Sequence, residues 1–299
     1  MHRYLLLLVM SLVSACQSPP TVPPLTPWQS PEGHEHVDLG MIRDLNSGET
    51  LTPRQLLVQL ASVPRVLVGE QHDNPDHHAL ELWLLQALGD QRPQGSVLLE
   101  MLAPDQQPKV DAVQRSIQQG HYPPDLPMAL GWQKGWNWAL YGSVMRFVLA
   151  QPYPVLAANL GAEEVAAIYH QRPVLSGMLS TSDAVQVPLL VQVRESHCGM
   201  LPEDALPAML AIQQQRDRRM ARSMMSAPTP ALLFAGSYHV RKDLGVPLHM
   251  ADLGSHELPV VLLFAQVGSE VVPGSADYVW FTAALPDQDY CAQMRSPSR

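Results

Sequence analysis

The chain has 299 residues, 46% of them hydrophobic, and 19 Lys and Arg against 28 Asp and Glu give a net charge of −9. That length holds one large domain or two small ones around a substantial core. The acidic balance and the lack of a Lys/Arg cluster argue against nucleic acid as a partner, because phosphate binding needs counter-charges gathered on one face.

The chain opens like a secretory leader: Arg3 supplies a positive charge and residues 4–13 form an apolar run with leucine at each of positions 5–8. The run is too short to span a bilayer stably. Val13, Ser14 and Ala15 then precede Cys16, and this pattern resembles the lipobox of bacterial lipoproteins. It implies cleavage before Cys16 and acylation of its thiol, which would anchor the protein without a transmembrane helix. Gln17, not Asp, follows the cysteine. By resemblance to the sorting pattern of Gram-negative lipoproteins, that implies the periplasmic face of the outer membrane.

Residues 17–36 are rich in Pro, Ser and Thr and read as an extended tether. A single domain is expected over 37–299. Residues 65–69, 96–99, 154–158, 231–235, 260–265 and 278–282 are short, continuous apolar runs, the pattern of strands covered on both faces. They alternate with helical patterns, which predicts an α/β fold with a mostly parallel central sheet flanked by helices. A smaller helical subdomain is expected from 104–150 and 162–228, the latter containing an amphipathic stretch over 209–225. One helix start is well defined: Asn74 suits the N-cap, Pro75 the first turn, and the apolar positions of 79–88 run on to Gly89. His77 and His78 then fall in the first turn, where the helix dipole disfavours imidazolium, so both are expected to be solvated, neutral and free to bind a metal.

Polar groups recur where the apolar runs end. Glu70 and His72 follow the first, Glu100 the second, Asn159 the third and His239 the fourth. In open parallel sheets the carboxyl ends of the strands form the ligand crevice, so Glu70, His72, Glu100 and His239 are expected to converge. Such a group could ligate a divalent metal or serve as acid and base in hydrolysis. Each residue alone could equally cap a helix or pair with an arginine. No HExxH helix and no GxSxG elbow is present.

Other features read as structural. Trp132, Trp136, Trp138 and Tyr141 have the spacing of a buried helical face, although they could wall a flat apolar ligand. Residues 215–221 (QRDRRMA) read as a solvated face from which Asp217 could reach a pocket histidine. His197 beside Cys198 looks like a metal pair, yet neighbours along a strand point apart. Besides Cys16 the chain has only Cys198 and Cys291; these could pair or stay free.

The ordered motifs GEQHDNPDHH (69–78), LLEM (98–101), HCGMLP (197–202), QRDRRMA (215–221), GSYHVRKDLGVP (236–247) and DYVWFT (277–282) resemble the ChaN-like family of iron-regulated, haem-binding lipoproteins. That family is related through its GExH and GxxH elements to the Tiki, TraB and erythromycin-esterase group. The resemblance implies haem as ligand, a homodimer with two haems stacked face to face, tyrosine on the iron and histidine on the propionates. It also implies a place in iron acquisition, with an uptake receptor or periplasmic carrier as partner. A tyrosinate suits Fe(III), a hard acid that prefers an anionic oxygen. Tyr141, Tyr169 and Tyr238 are the candidates for the iron ligand, and His77, His78 and His239 for further haem contacts. A hydrolase using Glu70, His72, Glu100 and His239 is the alternative reading.

Overall fold

The computed structural model describes residues 22–295, so the leader, the lipobox and Cys16 lie outside the described residues. Among the described residues there are eight strands: β1 (Ile42–Asp44), β2 (Thr50–Leu51), β3 (Arg65–Glu70), β4 (Ser96–Leu99), β5 (Val155–Ala157), β6 (Ala231–Gly236), β7 (Val260–Gln266) and β8 (Tyr278–Thr282). They form one sheet in the order β2-β1-β8-β7-β3-β6-β4-β5. The strands from β8 to β5 are parallel, and β1 runs antiparallel to both β2 and β8. The fold is α/β with a mostly parallel sheet, as the apolar runs imply. Strands β1 and β2 escape sequence reading because they have only three and two residues, too few to show a period.

Alternation along the central strands sends side chains to two cores. Val66, Val68, Leu232 and Phe234 pack with helices Pro53–Ala61, Pro75–Gly89, Gln107–Gln118 and Trp138–Leu149. Leu67, Leu233 and Val261 pack on the other face with Met220, Ala221 and Met224 of helix Leu206–Ser226 and with Met250 of helix Val246–Asp252. Helices Ala162–Gln171 and Asp183–Ser196 stack on helix Leu206–Ser226. The stretches 104–150 and 162–228 therefore lie on opposite faces of the sheet, where sequence reading groups them into one subdomain. Both are helical, and helical pattern does not reveal which face a helix covers.

The tether expected over 17–36 is also corrected where it is described. The indole N–H of Trp83 donates to the Pro23 carbonyl at 2.8 Å. The Asp76 carboxylate accepts from Gln29 N at 2.6 Å and Ser30 N at 2.9 Å, and Glu32 bridges to Ala284. Residues 22–36 are thus docked on the domain and turn at Gly33 to His36, held by hydrogen bonds that their composition does not show. Cys198 and Cys291 form a disulfide across 93 residues. Among the described residues no helix is long and apolar enough to cross a membrane.

Candidate functional site

Strand β3 lies between β6 and β7, and β4 lies beyond β6. In register, Glu70 is level with Gly236, and Leu99 with Phe234, so the residues just past three parallel strands meet at one edge. Glu70, His72, Gln192, Gln213, Ser237 and His239 line a cavity of about 370 Å³ there. Glu100 sits beneath it, accepting from Gly236 N at 2.8 Å. The four residues singled out from strand ends therefore do converge, in two sets.

The first set is Glu70, His72 and Tyr141. His72 Nδ1 lies 2.7 Å from Glu70 Oε1, to which the Tyr141 hydroxyl donates at 2.8 Å. Burial works against the His72 imidazolium, but its bond to Glu70 and the Glu70 charge more than offset this and raise it. The His72 side chain keeps 44% of its exposure and packs beside Gly236, where an added Cβ would come within 2.9 Å of its Nε2. Glycine there leaves room for the imidazole at the cavity. Trp136 meets His72 edge to face at 4.9 Å, so the tryptophan cluster supports the site while packing on the core.

The second set is His239, Asp217 and Glu100. His239 follows β6 in the single turn Ser237–Val240, with Nδ1 2.5 Å from Asp217 Oδ1 and Nε2 3.3 Å from Glu100 Oε1. Burial would lower its imidazolium, but the two carboxylates prevail and push it up to about 10. Burial would raise Glu100, which His239 and the Gly236 N–H instead hold at about 2. For Asp217 burial prevails, pushing it up to about 6. The cavity thus offers one accessible imidazole oriented by a carboxylate, with a buried imidazolium behind it, an arrangement able to hold and move a proton.

Two sequence expectations need correction. His77 and His78 are buried, not solvated, because helix Pro75–Gly89 is covered along most of its circumference. Burial takes His77 down to about 3, leaving it neutral, with Nδ1 accepting from Gln71 N at 2.8 Å. His78 is not neutral: although burial lowers it, Glu81 at 3.1 Å and the Glu70 charge push it up to about 9. Glu81, one turn further along, outweighs the helix dipole. Residues 215–221 are not a solvated face either, since Asp217, Arg218, Met220 and Ala221 are buried. Asp217 makes the reach to a pocket histidine that its position allows. His197 and Cys198 form no metal pair, because Cys198 is in the disulfide and His197 Nδ1 faces the Val193 carbonyl at 2.8 Å.

The candidate tyrosines separate cleanly. Tyr141 is 1% exposed, and burial together with Glu70 and Glu81 drives its phenol far above the usual range. Tyr238 is 41% exposed beside the cavity, with the Arg241 guanidinium over its ring at 5.5 Å. Tyr169 is 38% exposed in a second opening of about 480 Å³ between helices Ala162–Gln171 and Leu206–Ser226. Val165, Ala166, His170, Met209, Ile212 and Arg216 also line that mostly apolar groove. Helix Leu206–Ser226 serves both places, turning Gln213 and Asp217 toward His239 and Met209, Ile212 and Arg216 toward Tyr169.

The family model described as "Haem-binding uptake, Tiki superfamily, ChaN" matches residues 56–250. The chain belongs to this ChaN family. ChaN of Campylobacter jejuni, from a structure titled for cofacial haem binding, is 30% identical, with a TM-score of 0.75 over 85% of this chain and 98% of that one. An erythromycin esterase, EreC, is 14% identical with a TM-score of 0.44, over 81% of this chain and 83% of the esterase. An effector domain of a Vibrio vulnificus toxin is 16% identical with a TM-score of 0.42, over 80% of this chain and 39% of that one. No curated protein sequence matches the chain. The ChaN match spans GEQH, LLEM, QRDRRMA and GSYH, the motifs that supply the crevice. Sequence reading missed Glu81 and Gln213 as neighbours of the site histidines. The spacing of His78 and Glu81, three apart on a helix, was the readable signal for the first.

Proposed function

We propose that this protein is a lipoprotein, acylated on Cys16 and held at the periplasmic face of the outer membrane, that binds haem as part of haem and iron acquisition. Membership of the ChaN family supports haem as the ligand. The observation that carries the reading further is the groove around Tyr169. A haem needs an apolar cleft for its faces, a ligand for its iron and a cation for its propionates. Val165, Ala166, Met209 and Ile212 supply the first, the Tyr169 hydroxyl the second, and Arg216, whose Nε has no hydrogen-bond partner, the third. Tyr141 is unsuited, since forming its phenolate would add an anion beside Glu70 in a buried place.

Pairing of two chains on a shared haem stack is supported by apolar side chains left exposed on and beside helix Asp183–Ser196, which packs on helix Leu206–Ser226. Val187 and Val191 lie one turn apart on helix Asp183–Ser196, with Met178 and Met200 nearby in sequence, all exposed. The Cys198–Cys291 disulfide fits an oxidising compartment, which supports the periplasmic placement. A carrier tied to one leaflet must pass its haem to a receptor or a diffusing periplasmic partner. Hemin titration with sedimentation in the same samples tests the reading: saturable binding with a dimer forming on loading is expected, and a monomer with no Soret change would overturn it.

A further inference from the structure

The haem reading leaves a buried group behind the crevice without a role. Glu70, His78 and Glu81 each present a ligand atom, and these atoms all lie within 4.8 Å of one another. All three residues are at least 97% buried. Two carboxylate oxygens of the group, Glu70 Oε2 and Glu81 Oε1, have no hydrogen-bond partner. A buried acceptor left without a hydrogen bond is costly, and a metal ion set among the three side chains would engage both of these oxygens.

We propose that Glu70, His78 and Glu81 bind a divalent first-row transition cation, with His78 Nδ1 and the two carboxylates as ligands. The surroundings are those of a ligand sphere with its supports in place. A metal-bound imidazole usually donates its other N–H to a carbonyl or carboxylate. His78 Nε2 lies 3.0 Å from the His72 carbonyl, which leaves Nδ1 toward Glu81 at 3.1 Å. Glu70 is oriented in the same way: Tyr141 and His72 hold its Oε1, leaving Oε2 without a hydrogen-bond partner. The cation takes the place of the proton otherwise shared by His78 and Glu81. One imidazole and two carboxylates suit zinc, manganese or iron(II) better than calcium, which prefers all-oxygen sites. Access is available, since His78 also lines a surface cavity of about 250 Å³ with Thr26, Gln29 and Ser143.

The test is elemental analysis of the chelator-stripped protein after loading with zinc or manganese and extensive dialysis, with cobalt substitution as a spectroscopic readout. One metal per chain is expected, together with cobalt d–d bands and a rise in melting temperature on loading. Glu81→Gln and His78→Gln should each weaken binding at least tenfold. Glu81→Asp, which keeps the charge, should restore part of it if the Gln variant folds poorly. Wild-type protein that retains no metal after dialysis would overturn the proposal. So would stoichiometric binding that survives both variants, because the metal would then sit elsewhere.

Discussion

Replacing Asp217 with alanine removes the carboxylate 2.5 Å from His239 Nδ1 and leaves a buried imidazolium N–H with only the Gln213 amide beside it. Taking the imidazolium from its ordinary 6.5 up to about 10 corresponds to on the order of 5 kcal/mol, shared between Glu100 and Asp217. Breaking a buried pair by deleting one partner costs about 3–5 kcal/mol, so the substitution should destabilise the protein at pH 7 by about that amount. Urea unfolding should report it directly. Thermal melts should fall by about 6–20 °C, at roughly 2–4 °C per kcal/mol for a chain of this size. Asp217→Asn keeps an acceptor for the Nδ1 proton and should lose less, about 1.5–3 kcal/mol. The pH dependence has a definite sign. His239 is raised in the folded protein, so its contribution is full below pH 6.5 and is lost as pH climbs through about 10. Asp217, itself pushed up from its ordinary 3.8 to about 6, lowers stability in the same sense but within that lower pH window, so the comparison belongs above pH 6.5. The gap between wild type and Asp217→Ala should narrow from pH 7 to pH 10. A gap under about 1 kcal/mol at pH 7, or one that is flat across that range, would refute the charged triad.

Tyr141→Phe should cost about 1–3 kcal/mol in urea unfolding, because it removes a donor from buried Glu70. Its hemin spectrum should match wild type, and loss of the spectrum would return Tyr141 to candidacy as iron ligand. Gly245→Ala would place a Cβ 2.0 Å from the His239 carbonyl oxygen. Backbone cannot yield there as a side chain can, so a loss above about 3 kcal/mol or a failure to fold is expected, and a normal melting curve would be inconsistent with this packing. Cys198→Ser should loosen the C-terminal segment around Cys291, read as faster amide exchange over 285–291 while β3 and β6 stay protected. Equal loss of protection in the central strands would show that the disulfide holds more than this segment.

The strands and the crevice were largely legible because a parallel sheet covered on both faces writes itself as apolar runs, and its ligand edge as the polar residues that end them. Glu70, His72, Glu100 and His239 were found in that way, by position along the chain. What pairs with each was not legible, since the partners come from elements whose packing depends on three dimensions. Asp217 comes from a helix on the second face of the sheet, Tyr141 from a helix on the first, and Gln213 from one turn before Asp217. The charge state of His78 was misjudged for the same reason, because it depends on Glu81 and Glu70 more than on the helix dipole. The groove at Tyr169 left no motif, because its walls are ordinary apolar residues from two helices about 40 residues apart. The docked segment 22–36 was obscured by composition, which registers prolines but not the Asp76 carboxylate that fastens the chain.

Hemin titration of wild type against Tyr169→Phe, followed by the Soret band, tests the central claim most directly. Wild type should bind saturably, with the spectrum of a high-spin, tyrosinate-ligated ferric haem. Tyr169→Phe should bind more weakly and lose the phenolate charge-transfer band, with the melting temperature of the unloaded protein unchanged. A Tyr169→Phe protein that binds hemin with the wild-type affinity and spectrum would contradict it.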